Sequence, residues 1–249
     1  MIRKSISIFL LLSIFVFKGN AQYVPFDSWG IGANAGLYGF GIQGATTLSP
    51  NFKLRVGVDY FSYTDNESEE FDIDVGYREY EVTTQARLND TKITFPNFKA
   101  MVDFYPVANS IFSITGGFYF GNNRASTNGL IDGYESLVAT LGDKPVLRYE
   151  DIVITPNDDG SFDGKLVMGN TIKPYLGIGI GRTIPKNRVG VRFELGMVYQ
   201  GKYSLSSPNI NEMGDVWFGR LTDELDLPFS ESLLKWWPML NLSLTYRIN

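Results

Sequence analysis

Apolar and polar residues alternate with a period of two in repeated stretches of this chain, and beyond residue 17 no apolar run is long enough for a membrane-spanning helix. One stretch places Leu240, Leu242, Leu244, Tyr246 and Ile248 on one face and Asn241, Ser243, Thr245, Arg247 and Asn249 on the other. A second sets Phe52, Leu54, Val56, Val58 and Tyr60 against Lys53, Arg55, Gly57 and Asp59. Phe98–Phe104, Phe112–Phe120 and the run from Val189 to Met197 repeat the pattern. Each run is about ten residues, the length a tilted strand needs to cross a bilayer. A strand with one oily face could equally lie over a soluble core, so the connections have to decide.

The connections come in two sizes. Short turns fall at Ser49-Pro50-Asn51, Pro106-Val107-Ala108-Asn109 and Pro185-Lys186-Asn187, and long segments at about 64–90, 122–168 and 202–235. Short turns on one side and long loops on the other is the pattern of an outer-membrane barrel, with the turns in the periplasm. The strands from Phe52, Ile111 and Val189 then run outward, and the last strand returns. The stretch WGIGANAGLYGFGIQGATTLS, folded as a hairpin broken near Tyr38-Gly39, brings the count to eight. A closed barrel has no sheet edge, so the last strand finds its partner in the first. Tyr60, Tyr63, Tyr199, Tyr203, Trp236 and Trp237 fall where an outer aromatic girdle belongs.

Residues 1–21 read as a secretory signal peptide. Arg3 and Lys4 precede an apolar run from Ile6 to Phe17, and Gly19 and Ala21 mark a cut after Ala21. Residues 22–249 then form one barrel domain, for no linker, charge block or repeat divides them. The chain carries 22 basic and 27 acidic residues; without Arg3, Lys4 and Lys18 the balance is 19 to 27, a net charge of −8. Such a charge argues against nucleic acid as a partner. There is no cysteine, so disulfides contribute nothing to stability.

Three stretches, FKAMVDFYPVANSIFSITGGFYFGNN (98–123), KPYLGIGIGRTIPKNRVGVRFELGMVYQG (173–201) and WPMLNLSLTYRIN (237–249), resemble the eight-stranded outer-membrane β-barrel proteins of Gram-negative bacteria. That group includes OmpW-like and OmpA-like barrels. The resemblance implies an outer-membrane location, the lipid bilayer as surroundings, and barrel-assembly machinery as a partner in biogenesis, but no agreed activity. The assembly signal of such barrels closes on an aromatic residue two places after a tyrosine. Here Tyr246 and Arg247 fit, while Ile248 replaces the aromatic and Asn249 adds a residue.

Catalysis finds little footing. The chain has no histidine, which removes Ser-His and Cys-His nucleophilic sites and His-ligated zinc. The enzymes among the small barrels it resembles rely on a histidine. The expectation is therefore a protein that is no enzyme and holds no cofactor or metal. Gly39-Phe40-Gly41-Ile42-Gln43-Gly44 spells G-x-G-x-x-G, but Ala45 to Pro50 continues as strand and turn, not as the helix a dinucleotide site requires. The glycines read as room for bulky inward side chains. Asn157-Asp158-Asp159-Gly160 lacks the alternate acids and closing Glu of a calcium loop, and reads as a turn joining 152–155 to 162–168 in a hairpin.

The inward charges are the candidate site: Arg55, Asp59, Lys99, Asp103, Arg192, Glu194 and Arg247, with Lys173 beside them. Facing lipid, a Lys or Arg near the midplane would cost about 2–4 kcal/mol. In an eight-stranded barrel the lumen is only wide enough for its own side chains, so opposite charges should pair across it. The alternatives are a structural ion-pair core and a polar conduit for a small solute or proton. Met213, Val216, Trp217, Leu221 and Leu225 stand at helical spacing after Asn211, predicting a short helix in the last long loop. It would lid the barrel mouth, or dock on lipid or a partner.

The sequence thus predicts an all-β fold, an eight-stranded antiparallel transmembrane β-barrel, with a soluble periplasmic barrel or sandwich as the other arrangement. Three roles are compatible with it. The first is a structural or surface-interaction protein with a closed lumen. The others are a narrow channel for small solutes and an accessory to assembly or secretion that grips another membrane protein.

Overall fold

Alternating residues on tilted strands require every backbone N–H and C=O to be paired between strands, and the chain meets this by closing its sheet. The computed structural model describes residues 24–77, 80–141, 144, 146–149, 152–201, 203–207, 209 and 235–249. The expected signal peptide and the helix expected over 211–227 lie outside them. In chain order the strands are β1 Trp29–Gly36, β2 Gly39–Thr47, β3 Phe52–Asp65, β4 Glu69–Tyr77, β5 Tyr80–Phe104, β6 Phe112–Phe120, β7 Arg124–Ile131, β8 Val146–Tyr149, β9 Ile152–Ile154, β10 Ser161–Val167, β11 Ile172–Gly181, β12 Val189–Tyr199, β13 Ser204–Ser206 and β14 Trp236–Arg247. One short helix, α1 Tyr134–Leu141, lies in the middle long segment.

Eight of these strands form a closed antiparallel ring in the order β1-β2-β3-β5-β6-β11-β12-β14 and back to β1. Closure runs from Gly30 opposite Arg247 to Gly36 opposite Asn241. The N-terminal hairpin turns at Leu37 and Tyr38, where Gly39 takes a φ of 94° that a side chain would oppose. The turn after β2 closes with Leu48 N–H donating to Phe52 O at 3.0 Å, while Ser49 Oγ accepts from Phe52 N–H at 3.1 Å.

The ring is inside-out relative to a soluble protein. Phe40, Ile42, Leu176, Ile180, Val191 and Leu244 point outward and are 54–75% exposed. The alternate positions, among them Arg55, Lys99, Asp103, Lys173, Arg192 and Glu194, point inward and are at most 3% exposed. Water would penalise that outer surface and hydrocarbon would not, so the ring is a transmembrane barrel and the soluble alternative fails on its own surface.

The long segments at 64–90 and 122–168 are not loops. β5 has 25 residues, about 80 Å at ~3.3 Å per residue, against an apolar band of about 25 Å. Its Thr91–Phe104 half pairs with β3 and, from Phe98 on, with β6 in the ring, and its outer part carries β4 on one side and β7 on the other. β4, β7, β10 and β13 prolong β3, β6, β11 and β12 past short breaks. Together with β5, β8 and β9 they build a wall in the order β9-β8-β4-β5-β7-β10-β13. The expected hairpin between 152–155 and 162–168 does not form. β10 prolongs β11 and so keeps the neighbours that prolong β6 and β12, leaving β9 to pair with β8. The turn itself is present, with Gly160 N–H donating to Asn157 O at 3.0 Å.

Candidate functional site in the lumen

The inward faces of eight strands converge on a volume only side chains can fill, so each layer of the lumen is set by the parity of its strands. The central layer holds four charges. Arg55 on β3 makes a two-point contact with Asp103 on β5, Nε to Oδ2 at 2.8 Å and Nη2 to Oδ1 at 2.9 Å, and its Nη2 also reaches Glu194 Oε2 at 2.5 Å. Arg192 on β12 donates from Nη2 to Glu194 at 2.7 Å and to Asp103 at 3.2 Å. Two guanidinium groups and two carboxylates close a neutral quartet, each 0–3% exposed.

The remaining lone pairs and protons of the quartet are also engaged, which is what makes such burial tolerable. Asp103 accepts from Thr115 Oγ1 at 2.7 Å and from Thr183 Oγ1. Glu194 accepts from the Tyr175 hydroxyl at 2.7 Å. Arg192 donates from Nη1 to Thr183 Oγ1 at 2.6 Å and to the Tyr105 hydroxyl at 3.2 Å. β3 and β12 stand four places apart in the eight-strand ring, so Arg55 and Glu194 meet across its full diameter.

A second layer lies further out along β3. Lys99 Nζ donates to Asp59 Oδ1 at 2.8 Å and to Asn34 Oδ1 at 2.9 Å, while Asn34 Nδ2 donates to the same Asp59 oxygen at 2.7 Å. Above it comes a ring-to-ring aromatic stack. Phe95, Tyr38, Tyr119 and Tyr175 meet edge to face, with successive centroids 5.9, 5.2 and 5.7 Å apart. Met101, Val198 and Met239 pack against them. Tyr38, the second residue of the two-residue β1–β2 turn, is buried in this layer.

Small residues make the layers fit. A methyl group on Gly41 would lie 2.0 Å from Asp59 Oδ1 and 2.3 Å from Val58 O, and one on Gly179 would lie 2.4 Å from Arg192 Nη2. Gly44, the last glycine of the G-x-G-x-x-G string, meets nothing within 4 Å. That string runs along β2 as strand, with no helix following it.

Six of the seven charges expected in the lumen meet there in two clusters: Arg55, Asp103, Arg192 and Glu194, and Lys99 with Asp59. Lys173 is buried higher up, donating to Gly121 O and, at 3.5 Å, to Asn97 Oδ1. Arg247 does not join them. It ends β14 at the short-turn mouth, where its Nε donates to Asn249 O at 2.6 Å. Trp237 is also displaced from its expected place in the girdle: it shares inward parity with Met239 and packs edge-on against Phe95 at 6.4 Å. Trp236 takes the outward position, with Tyr199 at 5.1 Å. Asn34, Thr115, Tyr175 and Thr183 are partners that the charge pattern alone does not name. Thr115 stands opposite Asp103 in register, and Tyr175 shares the parity of Lys173, so both are legible in principle. Thr183 sits in a turn where parity lapses.

Fold and lumen together define a membrane-spanning β-barrel with a filled interior. No family model and no curated protein matches the sequence. Among solved structures the chain is similar to the crystal structure of Acinetobacter baumannii CarO, with 19% identity, a TM-score of 0.46, and coverage of 91% of this chain and 99% of that one. It is similar also to Acinetobacter baumannii CarO2, with 18% identity, a TM-score of 0.48 and coverage of 90% and 100%. A major outer membrane protein from Thermus thermophilus shows 14% identity, a TM-score of 0.35 and coverage of 89% and 98%.

Proposed function

We propose that this is an outer-membrane barrel whose lumen is a structural plug and whose role is exercised by the wall of strands standing outside the bilayer. The observation that carries the reading is the contact of Arg55 with Glu194 at 2.5 Å across the diameter of the ring. A path for solute through that plane would have to separate two buried ion pairs, and breaking one buried pair costs about 3–5 kcal/mol. The wall supports the second half of the proposal. Its seven strands add a surface that anchoring in lipid does not require, suited to contact with a molecule outside the cell or with another surface protein.

The test is solute entry into liposomes carrying the purified, folded protein. Vesicles with and without it should swell at equal rates in small sugars. Swelling that depends on the protein and rises in an Arg55→Met, Asp103→Leu double variant would instead make the barrel a conduit.

A further inference from the structure

A pocket opens at the short-turn mouth of the barrel, below the quartet. Four cations line it: Lys53 from the start of β3, Arg182 and Lys186 from the β11–β12 turn, and Arg247 from the end of β14. No aspartate or glutamate is among its lining residues. In a chain with a net charge of −5 this is the reverse of the average surface. Four like charges with no aspartate or glutamate among the lining residues repel one another, and an anion between them relieves that repulsion.

The cations are held in place mainly by main-chain oxygens. Lys53 Nζ donates to Ser49 O at 3.1 Å and Thr47 Oγ1 at 3.4 Å, and Arg182 donates to Asn109 O. Arg247 is already engaged by Asn249, and Asp27, outside the lining, acts on Lys53 through space. Arg182 and Lys186 therefore carry the larger uncompensated charge. The floor is polar as well. Tyr105 and Thr183 are 3% and 2% exposed, and their hydroxyls lie 3.0 Å apart. The Thr183 hydroxyl donates inward to Asp103, and the Tyr105 hydroxyl accepts from Thr183 N–H at 2.8 Å and from Arg192. With the Thr183 proton on Asp103, the 3.0 Å bond between the two hydroxyls is donated by Tyr105, with Gly181 O at 3.3 Å as its other acceptor, so the floor is a fixed polar surface.

From this arrangement we infer that the mouth is a binding site for a phosphate-class oxyanion, clasped by Arg182 and Lys186 with Lys53 beside them. Two sources can present that chemistry, a free phosphate and the headgroup of a phospholipid in the adjoining leaflet. The outward residues Ile111 and Val189, 57% and 56% exposed at the same end, bring the pocket to headgroup level.

The experiment uses the full chain, folded and delipidated in micelles of an uncharged detergent, titrated with inorganic phosphate by calorimetry. Binding should saturate, and the Arg182→Gln, Lys186→Gln double variant should bind about tenfold more weakly, a loss of ~1.4 kcal/mol. Folding of each variant is checked by its heat shift on a gel. Should the double variant fail to fold, Lys186→Gln alone, on an exposed turn, should still weaken phosphate measurably. Equal binding by wild type and folded variant, or no saturable binding, overturns the inference. Repeating the titration in bilayers of phosphate-headgroup lipid separates the sources. Loss of phosphate binding there assigns the site to the headgroup, and its survival assigns it to the free anion.

Discussion

At the scale of single residues, the lumen shows why a buried ion pair is a commitment. Asp103 is fully buried and receives Arg55, Arg192, Thr115 and Thr183. Asp103→Asn keeps the shape but leaves two guanidinium groups facing one carboxylate. The expected loss is about 3–5 kcal/mol, read as a lower urea midpoint for unfolding from lipid vesicles. The glycines make a sharper pair. Gly41→Ala pushes a methyl into Val58 O and should cost about 1–3 kcal/mol, whereas Gly44→Ala meets open space and should be neutral. Equal effects of the two, measured in the same unfolding assay, would contradict the packing role of Gly41. The same comparison tells against a shared ligand-binding task for the string.

Single elements outside the bilayer follow soluble rules. In the turn before β10, Asp159 Oδ1 accepts from the Ser161 hydroxyl at 2.6 Å and the Ser161 N–H at 3.0 Å. These bonds, the hydroxyl first, hold its carboxyl below the usual carboxylate value. Because the folded value is depressed, the turn is supported at pH above the ordinary value of about 3.9 and loses that support as pH falls below it. Protection of the 157–161 amides from exchange, taken relative to the intrinsic rate at each pH, should therefore hold down to about pH 4 and fall in more acid solution, and Asp159→Asn should remove that pH dependence. β4 carries a different lesson. Phe71, Ile73, Val75 and Tyr77 alternate with Glu70, Asp72, Asp74 and Gly76, so its strand is written in the sequence. Its acidity suggests a loop, because charge is normally the mark of exposed connection. Here it belongs to a strand that pairs with β5 and β8 beyond the ring.

The whole molecule is one sheet in two parts, a ring and a wall, and the parts should separate. Replacing 66–90 by a short glycine-containing turn removes β4 and the outer half of β5 but none of the ring pairings below Asp65 and Thr91. The shortened protein should keep its heat shift on a gel, and intact cells treated with protease should lose the wall fragment from the natural chain alone. Loss of the heat shift would mean that the wall is needed to close the ring. By itself the sequence determined the strands of the ring, their parity, the three short turns and six of the charges that meet inside. A period of two and the cost of charge in hydrocarbon are local rules, readable residue by residue. The tertiary structure decided what depends on curvature and closure. Arg55 and Glu194 are 139 positions apart and meet only because eight strands close into a ring of one diameter. Arg247 shares the inward parity of its strand but sits at the rim, and β10 leaves its sequence neighbour β9 because it inherits the partners of β11. Such choices belong to distances around the ring, and alternation along a strand carries no information about them.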